Sequence, residues 1–417
     1  MKNEYIGKNY LKNRNNKFKS FFSKNIDENE WSLIKKIIFR FLFCYFAIYI
    51  LIPNFLYNLE FINYIGKNIF SIEETITLKF NGSGDTTFDY IQLFIIFASS
   101  FLISTIWSIF DNKNTNYVRL NYFVSVIIRF YLLRQLVDYG IIKVNHTQME
   151  LPDLFTMDTK LGDISPLKLV WVFMGYSAGY SFFTGLGEII GGVLLISRRL
   201  VTLGSIINIA ILSNVFLLNM LYGIPVKIFS FHLLFMSIFL IMNDFERCFK
   251  FFILNQDVSK KYLMKFFKKD KYNFYISIFK GILLLFIIII LFIPKNEEKI
   301  KIDLKAIYYP KDIKKSNLEK IIFDKDKALI KFFNNETDFY YNILNHDSKK
   351  GIILLEKILF TNKKEEKIQK ITIFYKKLNN NFISIKGVIE KEKIDIIMYK
   401  KDLDNLKINE KFRWIIE

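Results

Sequence analysis

Cysteine is scarce: Cys44 and Cys248 are the two in 417 residues. No CxxC or CxxCH spacing occurs. That argues against a disulfide framework, a zinc site and a c-type haem, and both cysteines read as packing residues. The three histidines offer no haem-ligand pair within an apolar run. No flavin or nicotinamide fingerprint is present, and no metal motif. Any redox role would need a bound quinone or a partner protein to carry electrons. A secretory cleavage site is lacking as well. The N-terminal stretch is long and Lys/Asn-rich, with no small-residue site after the first apolar run, so it does not read as a signal peptide.

What the chain has is apolar length. It is 52% hydrophobic and 17% aromatic, with 45 phenylalanines. These residues collect in runs too long for soluble helices, which predicts a multi-pass membrane bundle in contact with lipid. About seven spans are expected, near 37–57, 90–110, 119–141, 167–197, 201–221, 227–246 and 273–294. The fourth exceeds a ~30 Å bilayer core at about 1.5 Å per residue, so it should tilt, project or bend at its glycines.

The formal net charge is +19. In a soluble protein that would suggest nucleic acid. Here the lysines and arginines sit beside apolar runs, so they read as topology signals. Alternate connections are rich (Lys113 and Arg119; Arg198 and Arg199; Arg247 to Lys271) and poor (Lys67 and Lys79; Lys143 and Lys160; Lys227). That asymmetry predicts a cytoplasmic N-terminus in a bacterial inner membrane. Seven spans then carry residues 295–417 to the periplasmic, extracytoplasmic side.

The composition changes after "IIIILFIPKNEEK". Short alternating runs follow: "KIKIDLKAIYY", "KALIKFF", "GIILLEKILF", "KIQKITIFYKK", "NFISIKGVIE" and "KIDIIMYKK". Turn-like "LNNN" and "EKEK" separate the last three. This predicts a small all-β domain, a meander of six to eight strands closed as a barrel or sandwich. The terminal "FRWIIE" is expected to help close its core. His346 and Asp347 in "NHDSKK" read as a loop.

A charge within a span is expensive and needs a partner. "TGLGEIIGGVLLISRR" places Glu188 in an apolar run. Glu188 lies ten residues before Arg198, and Arg129 ten residues after Arg119. With Arg119 and Arg198 both at the cytoplasmic edge, Glu188 and Arg129 share a depth of roughly 15 Å and are expected to pair. Arg134 is the competing partner. Further polar groups, Lys143, Tyr180, Asn219 and Lys227 among them, lie outward of that pair and complete a candidate intramembrane site. His232 reads as a satisfied packing residue, and Asp244 as a partner of Arg247 or Arg198. The pairs Gly175–Gly179 and Gly187–Gly191 are small-xxx-small patterns that permit close helix approach. "NGSGDTTFDYIQ" mimics a phosphate loop but reads as an ordered turn, with Asp85 or Thr86 capping the next helix.

Residues from about 118 to 250 resemble the DoxX-like family of four-helix membrane proteins. The likeness rests on "YGIIKV", "GLGEIIGGVLLISRR", "LGSIINIAILSNVFLLNMLYGIPVKIFS" and "IMNDFER", with Gly187, Glu188, Leu194 and Arg198 at signature positions. "GIPVK" carries Gly223 where that pattern has an acidic residue. "GSGDTTFDY", "QMELPDLF" and "FRWIIE" resemble a longer, Bacteroidetes-type form with extra spans and an extracytoplasmic domain. The implied organisation is a basic tail (1–36), two spans with an external loop (37–117), a DoxX-like core (118–250), a basic loop with the last span (251–294) and a β-rich domain (295–417). Some members are similar to a subunit of thiosulfate:quinone oxidoreductase and others to redox-linked accessories. The resemblance thus implies a quinone- or redox-linked membrane accessory with a redox or envelope partner. An envelope scaffold acting through the β domain, or a small-molecule transporter, are the alternatives. A more distant likeness to the membrane domain of vitamin K-dependent carboxylases maps no lysine base onto this chain.

Overall fold

The computed structural model describes residues 30–51, 59–77, 84–111, 113–259, 270–291, 303–312, 316–333, 338–358 and 369–403. The basic tail before residue 30 and the terminal "FRWIIE" lie outside the described residues. The chain divides into two compact units, residues 1–147 with 179–291, and residues 148–178 with 292–417.

The first unit is helical. It holds α1 (Leu33–Leu51), α2 (Leu59–Phe70), α3 (Thr87–Phe110) and α4 (Val118–Val144). Between α4 and the rest of this unit run two helices of the second, α5 (Leu154–Asp158) and α6 (Pro166–Tyr176). The bundle then resumes with α7 (Ala178–Leu194), α8 (Val201–Leu221), α9 (Lys227–Met242), α10 (Phe245–Phe252) and α11 (Asp270–Leu291).

Among the described residues, α3, α4 and α8 are long and apolar enough to cross a membrane. The α9–α10 pair qualifies together, with a 78° bend between its halves, giving up to four spans. This is fewer than the seven runs in the sequence. Lys35, Lys36 and Arg40 interrupt the apolar character of α1. The expected span over 167–197 is two helices, parted at Ser177, whose backbone is extended at φ −111° and ψ 104°. α11 has a short apolar stretch, Phe274–Ile287.

Local signals set several helix starts. Thr86 caps α3 in a capping box with Asp89, and Ser165 with Pro166 opens α6. Packing then orders the bundle. Phe46, Ile128, Leu132, Met236 and Leu240, from α1, α4 and α9, form one core. Leu133, Val137, Ile189 and Ile287 join α4, α7 and α11 in a second.

The second unit contains an eight-stranded closed barrel. Its strands are β1 (Ala306–Pro310), β2 (Leu318–Asp324), β3 (Lys327–Phe332) and β4 (Phe339–Asp347). They continue with β5 (Ile352–Lys357), β6 (Lys370–Lys377), β7 (Phe382–Ile389) and β8 (Glu392–Lys400). Every neighbour in sequence is an antiparallel neighbour in space, and β8 returns to β1. The β7–β8 turn uses Glu390 and Lys391, both at positive φ, in a two-residue hairpin.

The interior is filled by side chains such as Tyr341, Phe323, Phe332, Ile385 and Met398. β6 and β8 alternate between buried and exposed residues over most of their length. β1, β2 and β3 are instead buried on successive residues. The difference is α5: Leu154 packs on Ile307, Ile322 and Leu329, the outward-facing residues of those strands. His346 and Asp347, read from sequence as a loop, close strand β4. His346 Nε2 hydrogen-bonds with Tyr375 Oη at 2.8 Å and lies 3.1 Å from Asp303 Oδ1.

Candidate functional site

α4 and α7 run antiparallel and cross at two glycines. A β-carbon on Gly140 would sit 2.7 Å from the Gly185 carbonyl oxygen, and one on Gly185 2.6 Å from the Gly140 oxygen. No side chain fits at either, so the two backbones touch. Helical side chains lean toward their own helix N-terminus. Lys143, about a turn past Gly140, and Glu188, about a turn past Gly185, therefore lean back toward the crossing from opposite ends. There Lys143 Nζ donates to Glu188 Oε1. Their side chains are 9% and 4% exposed. Ser181 Oγ donates to the Lys143 carbonyl at 3.1 Å.

Glu188 thus pairs with Lys143, and the Arg129 pairing read from the sequence is corrected. The crossing explains why. Arg129 lies eleven residues before Gly140, and the eleventh residue after Gly185 is Ile196. That register puts Arg129 eight residues, about 12 Å, inward of Glu188. Arg129 Nε donates to the Leu195 carbonyl at 2.7 Å, and Nη2 to that of Ile196 at 2.9 Å. α7 ends at Leu194, so Arg198 sits beyond the helix and is no gauge of depth along it.

The remaining sequence candidates disperse. Arg134 is paired with Asp138 at 3.6 Å on an exposed face of α4. Tyr180 is 43% exposed on α7. Asn219 Nδ2 donates to Ser230 Oγ at 2.9 Å, tying α8 to α9. Lys227 contacts Asp85, and this contact joins two stretches that are distant in sequence. The Asp85 carboxylate accepts from the backbone N–H of Lys227 at 2.8 Å and of Ile228 at 3.0 Å, and from Lys227 Nζ at 3.2 Å. Thr86 caps α3, as read from the sequence, whereas Asp85 caps α9. The turn before α9 passes through Gly223 at φ +66°, a conformation an acidic side chain there would strain.

Three further clusters were not read as such from the sequence. Arg40, inside "IIFRFLF", donates to Tyr117 Oη and to the Asp111 carbonyl, both at 2.7 Å. Hydrogen bonds from Tyr117, Asn114 and Trp107 hold the Asp111 carboxyl well below the ordinary carboxylate range. His232 is buried. Its Nδ1 bonds the Ile228 carbonyl at 2.6 Å, so Nδ1 carries hydrogen and Nε2 faces the Tyr45 hydroxyl at 2.7 Å. Tyr49 stacks on the ring at 4.0 Å. In the second unit, Asp158 accepts from Lys320 at 2.5 Å and from Tyr309 and Lys401, both at 3.3 Å. Burial alone would lower the Lys320 pKa, but the hydrogen bond and charge of Asp158 outweigh it and raise it.

Among these clusters, Glu188 is distinctive in one respect. Its Oε2 is buried and has no hydrogen-bond partner among the described residues. A buried carboxylate oxygen left without a donor costs roughly 1–3 kcal/mol or more. It marks a place where a hydroxyl or amide of another molecule would be accepted. No three His, Cys, Asp or Glu side chains among the described residues converge as metal ligands would.

No family model matches the chain, and no solved structure matches it. A stretch of 97 residues, 23% of the chain, is 34% identical to the uncharacterised protein YwoB of Bacillus subtilis (strain 168). The chain spans 62% of that relative's length.

Proposed function

We propose that this chain is a multi-pass inner-membrane protein of the DoxX-like type, a quinone- or redox-linked accessory with its ligand site at Lys143–Glu188. The observation that carries the reading is the partnerless Glu188 Oε2 beside a buried ammonium. An ammonium donates to a carbonyl oxygen, and a carboxylate accepts from a hydroxyl. Together they complement both redox forms of a quinone. A bound quinone would supply the electron-carrying group that the sequence lacks. Lys143 would orient the carbonyl and Glu188 would hold or release the hydroxyl proton, while the apolar helices around them exclude water.

In this reading the chain crosses the membrane seven times, with the N-terminus cytoplasmic and the barrel periplasmic. The connection after α4 supports that parity. Residues 148–178 belong to the barrel's compact unit, which favours placing that connection and the C-terminal domain on one side. An even number of crossings must then separate them. In this reading α7, α8, the bent α9–α10 pair and α11 are those four crossings, of which α8 and the bent pair are long and apolar enough by themselves.

The test is calorimetric titration of the purified full-length chain with short-chain ubiquinone and menaquinone. Binding is expected, and Glu188→Gln should weaken it at least about tenfold, as loss of a hydrogen bond to a charged group implies. No binding, or equal binding by the variant, rejects the site.

A second reading, an envelope scaffold, is favoured by one observation. Outward residues Phe374, Val388, Ile397 and Tyr399 of β6–β8 are exposed, although the outer face of β1–β3 is covered by α5. A membrane-envelope protein captured by wild type but not by a Phe374→Ser, Ile397→Ser variant would favour it.

A further inference from the structure

The ends of three helices meet at one level. Asn121 stands in the first turn of α4, Thr202 at the start of α8, and Asn243 with Asp244 just past the end of α9. Asn121 Nδ2 donates to Asn243 Oδ1 at 2.6 Å, and Thr202 Oγ1 donates to Asp244 Oδ2 at 2.5 Å. Arg247 Nη1 donates to Asp244 Oδ1 at 3.3 Å. α4, α8 and the α9–α10 pair are all apolar enough to cross a membrane, so the level at which they begin and end together is an edge of the bundle. Between these polar contacts the chain turns by 78° into α10. A bend that sharp at the edge lays α10 across the direction of α9 rather than along it.

The residues of α10 sort by face. At about 3.6 residues per turn, Phe245, Cys248, Phe249 and Phe252 fall on one side, and Glu246, Arg247 and Lys250 on the other. The Phe245 and Phe249 rings stack at 6.0 Å, and Lys250 pairs with Glu246 at 2.6 Å. Yet no residue of α10 is buried, and Phe245, Phe251, Phe252 and the following Ile253 are each half or more exposed. This apolar surface continues one on α9. There Phe231, Ile238 and Met242 are exposed at spacings of seven and four, a single stripe. Such a stripe on a membrane-crossing helix faces lipid, and it runs without a break into Phe245.

We infer that α10 is an in-plane helix seated at the headgroup–acyl boundary of the bilayer. Phe245, Phe249 and Phe252 face the acyl chains, and Glu246 and Lys250 face water. A helix with an aromatic face and a charged face binds that boundary, sinking its apolar side about 5–10 Å. The crossing by the bent pair is then made by α9 and its turn, since the 16 residues of α9 rise about 24 Å of a ~30 Å core. The Asn243 and Asp244 hydrogen bonds tie the start of α10 to α4 and α8, so its seat on the lipid surface sets the depth of the bundle. The inference needs membrane-crossing helices but not the quinone reading, because it shares no side chain with Lys143–Glu188.

The test uses the full-length chain in nanodiscs of phosphatidylcholine and phosphatidylglycerol. Cys248→Ser is combined in turn with Phe245→Cys, Glu246→Cys, Phe249→Cys, Lys250→Cys and Phe252→Cys, each labelled with bimane; Cys44 is buried and should not react. Brominated lipid is expected to quench the labels at positions 245, 249 and 252 and to spare those at 246 and 250, with aqueous iodide showing the reverse. Bromine near the headgroup should quench more than bromine near the chain ends, as an immersion of about 5–10 Å requires. Iodide reaching all five labels overturns the inference, because α10 would stand in water. Brominated lipid quenching all five alike overturns it too, because α10 would continue the span. Labels at 245, 249 and 252 shielded from both quenchers would overturn the lipid assignment in favour of a protein partner. No residue of α10 is buried, so these changes should leave the bundle folded. Should one variant fail to fold, the alternation among the other four decides.

Discussion

Two acid–lysine pairs, one buried in the bundle and one part-buried in the barrel unit, have opposite accounts. Asp158 in the barrel unit accepts from Lys320, Tyr309 and Lys401, so both its oxygens are engaged. Glu188 in the bundle has Lys143 on one oxygen and no partner on the other. A fully satisfied pair holds surfaces together. Asp158 and Leu154 fasten the connection after α4 to the barrel wall. A half-satisfied pair in an apolar bundle is a poor structural clamp, because hydrophobic residues of the same volume would serve as well or better. In the proposed reading a ligand completes it.

The largest effect should come from breaking the bundle pair. Lys143→Met leaves Glu188 as an uncompensated buried carboxylate and is expected to cost about 3–5 kcal/mol. Chemical denaturation of the detergent-solubilised protein measures it. Adding Glu188→Gln should restore most of that loss. A double variant as unstable as the two singles summed would mean that the two groups do not interact.

Next is the barrel pair. Asp158→Asn strips two lysines of their partner and should lower stability by about 1–3 kcal/mol without changing ligand retention. A drop in ligand retention there would erase the distinction between the two pairs. Asp85→Ala removes the cap from α9 and should cost about 1–2 kcal/mol, read from the same denaturation curves.

The smallest effect concerns acid. Burial alone would raise the Asp303 pKa, but the Lys377 ammonium, with its hydrogen bond, brings the net value below the ordinary 3.8. A carboxyl depressed on folding stabilises the native state above its unfolded pKa, and that contribution fades as pH falls through the lower folded value. Lys377→Met should therefore move acid unfolding of the barrel to slightly higher pH, followed by circular dichroism. A shift to lower pH would reverse the assigned sign.

The same contrast separates what the sequence disclosed from what it concealed. The strands "KITIFYKK" and "KIDIIMYKK" carry their period openly, because one face is core and the other solvent. β2 and β4 were not named from sequence: "LEKIIFD" is buried on both faces, and "FYYNILNHD" ends in turn-like residues. In the bundle, Glu188 and Lys143 were visible as charges near an apolar run, yet their pairing was not. It depends on where two glycines cross, and the terminal arginines do not report that register. Arg40 was visible in the same way and passed over. Asp158 could not be read at all, since its burial is made by Lys320 and Lys401, more than 160 residues away in sequence.

The central claim is that Glu188 keeps an oxygen for a ligand. Extracted quinone per mole of protein, measured by mass spectrometry on wild type and Glu188→Gln purified from their own membranes, tests it most directly. Near-stoichiometric quinone in the wild type and little in an equally stable variant is the expected result. A quinone-free wild type, or equal amounts in both, would leave Lys143–Glu188 as a structural pair like Asp158–Lys320.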